Sequence, residues 1–159
     1  AAYMATDLSS LLKGGIIMPC YEATSRKQAL HAMSEELGRV TGISAREIED
    51  SVMERERLGS TGVGEGVAIP HARVAGIEAP IGGFMRLATG VDFEAIDDRP
   101  CDLIFMLLAP LSAGADHLRA LAQVSRVFRQ APVRDALREA DTVEAVKAVI
   151  CKESVESPI

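Results

Sequence analysis

Apolar residues recur at intervals of three and four toward both ends of the chain and crowd into short unbroken runs in its middle. The first spacing belongs to helices with one buried face, the second to strands. Residues 8–12 predict a helical turn ended by Gly14-Gly15, and residues 16–18 a short edge strand closed by Pro19. Ser25 with Gln28 has capping-box spacing, and Leu30, Met33, Leu37 and Val40 then share a helical stripe that stops near Gly42. A second box, Ser44 with Glu47, opens a helix through Ile48 and Val52 to about Arg57.

From Gly59 the texture changes. Residues 59–66 read as loop, and residues 67–69 as a short buried strand stopped by Pro70. Residues 83–88 predict a strand that residues 91–93 extend, and residues 97–100 a turn. The run 101–108 is almost wholly apolar, as expected of a strand covered on both faces, and Pro110 ends it. Leu118, Leu121, Val124 and Phe128 share one helical stripe, Pro132 suits the first turn of a short helix, and Asp141 with Glu144 has the spacing of a third cap. Helices, then strands, then helices predict one α/β domain over residues 7–151, a sheet with helices packed against it. The ends, residues 1–6 and 152–159, are expected to be flexible, and Ala1 to Tyr3 ahead of Met4 read as an appended remnant.

Composition narrows the function. The chain has 159 residues, 48% hydrophobic and 25% charged, with a net charge of -6. That balance speaks against a nucleic-acid footprint and against a basic membrane-binding face. The longest apolar run, residues 103–111, is too short to cross a bilayer, and no secretory signal opens the chain. Cys20, Cys101 and Cys151 are scattered and odd in number, which fits reduced thiols in a cytoplasmic protein.

Candidate chemistry concentrates in residues 59–73. The glycines let backbone approach a ligand closely. Their G-x-G-x-G spacing fails the dinucleotide fingerprint, and the Gly-Lys-Ser/Thr of a P-loop is missing. What remains is a histidine, His71, held behind Pro70. Neutral imidazole is a nitrogen nucleophile at cellular pH, yet taken alone His71 is read first as a structural histidine beside a turn. His117, just after Asp116 at the start of a helix, shifts that balance, because a helix N-terminus favours anions and keeps imidazole neutral. Arg55 lies three residues past Val52 on the buried side of its helix and needs an anionic partner there; a local carboxylate such as Glu54 is the plainer choice, a phosphoryl oxygen the functional one. His31 falls off its helix's stripe and reads as solvated.

These residues carry a resemblance. Arg55-Glu56-Arg57-Leu58-Gly59-Ser60-Thr61-Gly62, running into Gly66-Val67-Ala68-Ile69-Pro70-His71, resembles the phosphorylation-site signature of the mannitol/fructose-type enzyme IIA domains of the bacterial phosphotransferase system. Residues 93–110 followed by Asp116-His117-Leu118 resemble the second segment of that family. The resemblance implies a mixed β-sheet sandwiched between helices, with His71 as the phosphorylated histidine, His117 as the histidine that pairs with the phosphoryl group and Arg55 as its stabilising arginine. Ser60, Thr61, Gly62 and Gly64 are implied as supporting residues around the phosphate. The implied donor is a histidine phosphocarrier of the HPr type, and neither cofactor nor metal is expected. The stretch from Gly59 to His71 looks most like the nitrogen-related branch, whose phosphorylation state regulates target proteins. A free-standing sugar-specific component passing phosphate to an enzyme IIB is the alternative. Ala72-Arg73 departs from the glycine that follows the histidine in many members. Outside the family, a ligand-binding regulatory module and a hydrolase built on Cys101 or Ser60 are the competing classes.

Overall fold

The computed structural model describes residues 7–151, so the flexible ends expected at residues 1–6 and 152–159 lie outside the described residues. In chain order the elements are α1 (Ser9–Leu12), β1 (Ile16–Tyr21), α2 (Arg26–Thr41), α3 (Ala45–Leu58), β2 (Gly62–Gly64), β3 (Val67–Ala68), β4 (His71–Val74), β5 (Ile81–Val91), β6 (Cys101–Pro110), α4 (Gly114–Phe128), α5 (Ala131–Leu137) and α6 (Val143–Ile150). Local chemistry sets the helix ends. Ser25 and Ser44 accept the backbone N–H groups of Gln28 and Glu47, and Gly42 takes the left-handed conformation that closes α2. At α6 the cap is Thr142, which accepts from Ala145, one residue beyond the predicted Asp141.

One six-stranded mixed sheet organises the rest, in the order β1-β5-β6-β3-β2 with β4 also on β6. β5 runs antiparallel to β6, whereas β1 on β5 and β3 and β4 on β6 are parallel. The strand predicted to end at Pro19 continues to Tyr21 through an irregularity in its pairing with β5. This is an edge strand, where a missing N–H is tolerated.

Side chains of β6 alternate between two cores. Ile104, Met106 and Leu108 pack beneath α2 and α3, while Leu103, Phe105 and Leu107 meet α1, α4, α5 and α6. This two-sided burial explains the unbroken apolar run in the sequence. α3 buries Ile48, Val52 and Glu56 at four-residue steps, and α4 buries His117, Ala120, Val124, Val127 and Phe128. Leu118, placed by sequence on the buried stripe of α4, is 67% exposed, and Val40, placed on that of α2, is exposed as well. Among the described residues no helix is long and apolar enough to cross a membrane.

Candidate active site

The pairing of β3 and β4 with β6 delivers His71 to the edge of the sheet. Val67 and Ala68 pair with Leu103 and Ile104, and His71 to Val74 pair with Leu107 to Pro110 in the same register. Pro70 interrupts the ladder only by lacking an N–H, for its carbonyl still accepts from the Leu107 N–H. The chain predicted to stop at Pro70 therefore resumes as a strand. Alternation along it sends Val67 and Ile69 into the core under α4, and Ala68, Ala72 and Val74 into the core under α2 and α3. His71 and Arg73 consequently project on the α4 side. Among the described residues no strand flanks β4 on its outer side. The C-terminal end of α3 and the N-terminal end of α4 converge there over the sheet edge.

The result is a hollow of about 570 Å³ lined by Ser51, Glu54, Arg55 and Leu58 from α3, His71, Ala72 and Arg73 from β4, and His117 from α4. The rings of His71 and His117 lie 5.6 Å apart, centroid to centroid, tilted by 54°. Nδ1 of His71 lies 2.8 Å from the carbonyl oxygen of Ile69. A carbonyl only accepts, so the proton resides on Nδ1 and the lone pair on Nε2. His117 is buried, and its Nδ1 has no hydrogen-bond partner among the described residues. α4 also begins without a side-chain cap, although its first N–H, that of Gly114, is given to the Ser112 carbonyl.

The two imidazoles are poised to stay neutral. Burial pushes His71 below the ordinary value of 6.5, helped by the charge of Arg55 and opposed by the Ile69 carbonyl and the Glu56 carboxylate. Burial, then His71, then Arg73 lower His117 in the same direction. His31 is the contrast: its hydrogen bond to Glu49 raises it above 6.5. A depressed histidine stabilises the fold above the unfolded-state value and withdraws that stability as pH falls through its own lowered midpoint. An NMR titration should therefore show His31 protonating first on acidification, above pH 6.5, and His71 and His117 later, below it. A His71 midpoint above that of His31 would contradict this electrostatic picture.

The supporting residues expected from sequence fall elsewhere. Arg55, His71 and His117 share the hollow, but Ser60, Thr61, Gly62 and Gly64 do not line it. Ser60 donates its hydroxyl hydrogen to the Phe93 carbonyl and accepts the Gly62 N–H. Thr61 gives both its N–H and its hydroxyl to the carboxylate of Glu56. A Cβ on Gly62 would meet that of Ala95 at 2.8 Å, and Gly64 has φ +102°, so these glycines serve close packing and a turn. The turn in its own right matters to the site, because Gly59 at its start accepts Nη1 of Arg55 at 2.8 Å. Sequence reasoning passed over two residues. Glu56 continues the four-residue steps of Ile48 and Val52, and Arg73 follows His71 by the strand period; both signals were present once α3 and β4 had been phased.

Similarity to known proteins agrees with this architecture. The sequence profile of the phosphoenolpyruvate-dependent sugar phosphotransferase system EIIA 2 family matches residues 10–153. A nitrogen regulatory protein of Bradyrhizobium diazoefficiens is 39% identical over 143 residues, 90% of this chain and 94% of that one. The crystal structure of nitrogen regulatory protein IIA-Ntr from Neisseria meningitidis superposes with a TM-score of 0.82 at 35% identity, covering 90% of this chain and 98% of that one. A complex of enzyme IIAMTL and phosphorylated enzyme IIBMTL from Escherichia coli gives a TM-score of 0.71 at 18% identity, covering 84% and 92%, a likeness that concerns the fold alone. The chain belongs to the EIIA 2 family of the phosphoenolpyruvate-dependent sugar phosphotransferase system, and its likeness to the nitrogen regulatory proteins runs along nine-tenths of its length.

Proposed function

We propose that this chain is a cytoplasmic phosphocarrier that accepts a phosphoryl group on Nε2 of His71 from an HPr-type donor and regulates other proteins through its phosphorylation state. The observation that carries this reading is the pair of imidazoles 5.6 Å apart in one hollow, with His71 held by the Ile69 carbonyl in the tautomer that exposes an Nε2 lone pair. In transfer, that lone pair attacks phosphorus, the P–N bond to the donor imidazole breaks, and the donor ring leaves with the bonding electrons. The proton on Nδ1 stays in place. Once phosphorylated, the His71 ring carries positive charge, and the Ile69 carbonyl steadies it.

His117 and Arg55 supply the surroundings of the phosphoryl group. Neutral His117 offers a ring N–H to a phosphoryl oxygen without charge repulsion toward the incoming ring. Arg55 reaches the group by exchanging the Gly59 carbonyl for phosphoryl oxygens, a stronger, charge-assisted partner. Two histidines aligned about a phosphoryl group need mainly positioning and electrostatic support from the protein.

The regulatory reading is favoured by the long, 39%-identical relative named a nitrogen regulatory protein. The decisive experiment is mass spectrometry of the chain after incubation with a phosphorylated HPr-type carrier. One phosphoryl group on His71, acid-labile and base-stable, is expected; no uptake rejects the proposal. A second arm offers the phosphorylated chain to fructose- and mannitol-type enzyme IIB domains. Rapid transfer to either would assign the sugar-specific role.

A further inference from the structure

We propose that Arg73 is a second cationic ligand of the phosphoryl group on His71, a role that rests on the phosphocarrier reading and adds a catalytic residue to it. Most arginines near the sheet are already engaged. Arg26, Arg86 and Arg138 hold Glu56, Asp141 and Asp102, and Arg55 holds the Gly59 carbonyl. The Arg73 guanidinium has no carboxylate or carbonyl partner among the described residues, and yet it lines the histidine hollow. Strand alternation puts it on the same side of β4 as His71, facing the end of α4 that bears His117. Its charge is felt there, since it is one of the causes that hold His117 neutral.

The charge balance of the hollow calls for such a group. A phosphoryl group brings close to two negative charges at neutral pH. Glu54 lines the hollow and adds a further negative charge, while the nearby Glu56 carboxylate is already paired with Arg26. Against these stand the Arg55 guanidinium and a His117 held neutral. Arg73 supplies the missing positive charge, and its planar fork suits phosphoryl oxygens.

The test compares the wild-type chain with Arg73→Ala and Arg73→Lys. The phosphoryl group is allowed to equilibrate between each chain and a phosphorylated HPr-type carrier, and each phosphorylated chain is titrated by ³¹P NMR. With Arg73→Ala, the partition should fall by about tenfold, the scale of one charge-assisted hydrogen bond. The midpoint of phosphoryl protonation should also rise. Arg73→Lys should lie between, keeping the charge without the fork. If forward and reverse rates fall together while partition and ³¹P midpoint stay at wild-type values, Arg73 serves only to dock the donor and the assignment is overturned. Unchanged rates and partition overturn it as well. A wild-type chain that takes no phosphoryl group overturns the phosphocarrier reading itself, which separates that failure from this one.

Discussion

A His71→Ala chain is expected to take no acid-labile phosphate from a phosphorylated HPr-type carrier, while keeping its fold. The loss should be complete, because the substitution deletes the lone pair that forms the new bond and no other ring occupies that place. His117 is the nearest candidate to substitute, 5.6 Å away, but it is only 8% exposed, and its Nδ1 has no hydrogen-bond partner among the described residues to fix its tautomer. Its own replacement by alanine should slow transfer on the order of 10²-fold, the usual scale for removing one preorganised donor to developing charge. The two variants thus differ in kind, one without product and one slow. Intact-mass measurement against time checks both, and label on His71→Ala at the wild-type rate would place the acceptor elsewhere.

The largest effect on stability is expected from Glu56→Ala. This side chain is 1% exposed, yet its carboxylate accepts the N–H and hydroxyl of Thr61 and lies 3.8 Å from Arg26. Alanine leaves two buried donors unsatisfied and a guanidinium short of its partner. Each orphaned buried polar group costs about 1–3 kcal/mol, so a total near 3 kcal/mol is expected, seen as a fall in Tm of about 10 °C for a domain of this size. Glu56→Gln should cost less, since its amide oxygen still accepts one of the Thr61 donors. Equal melting of all three chains would show that the contact contributes little. Because the same turn carries Gly59, which holds Arg55, Glu56→Ala is also expected to retard phosphoryl uptake in the folded fraction.

The particular residues show where sequence patterns suffice and where they do not. Ser25 and Ser44 were legible as caps because capping is local chemistry, fixed by two residues three apart. The central strand was legible because burial on both faces leaves no polar position from Leu103 to Ala109. The mixed sheet between helices entered through the family resemblance, and the similarity to the nitrogen regulatory proteins bears it out.

What escaped depended on long-range pairing. β4 was hidden because Pro70 reads as a stop, whereas a proline at a sheet edge removes only one donor and leaves its carbonyl in the ladder. Leu118 gives the wrong phase for α4. Small Ala120 with Val124 and Val127 defines the buried face, and that same phase turns His117 inward. Ser60 and Thr61 look like phosphate ligands because hydroxyls beside glycines often are. Here the competing acceptor is Glu56, whose charge masked its membership of the buried stripe.

In the proposed phosphocarrier, the bond between Nδ1 and the Ile69 carbonyl has a consequence for how phosphoryl groups would move. A ring tethered to its own strand behind a proline has no arm to swing, so cargo moves only when another body brings its reacting atom into line with Nε2. On that proposal, the flow through His71 would be metered by the frequency of well-aimed collisions. Anything that shadows this rim of the molecule would then silence the proposed relay without altering a single atom of its chemistry.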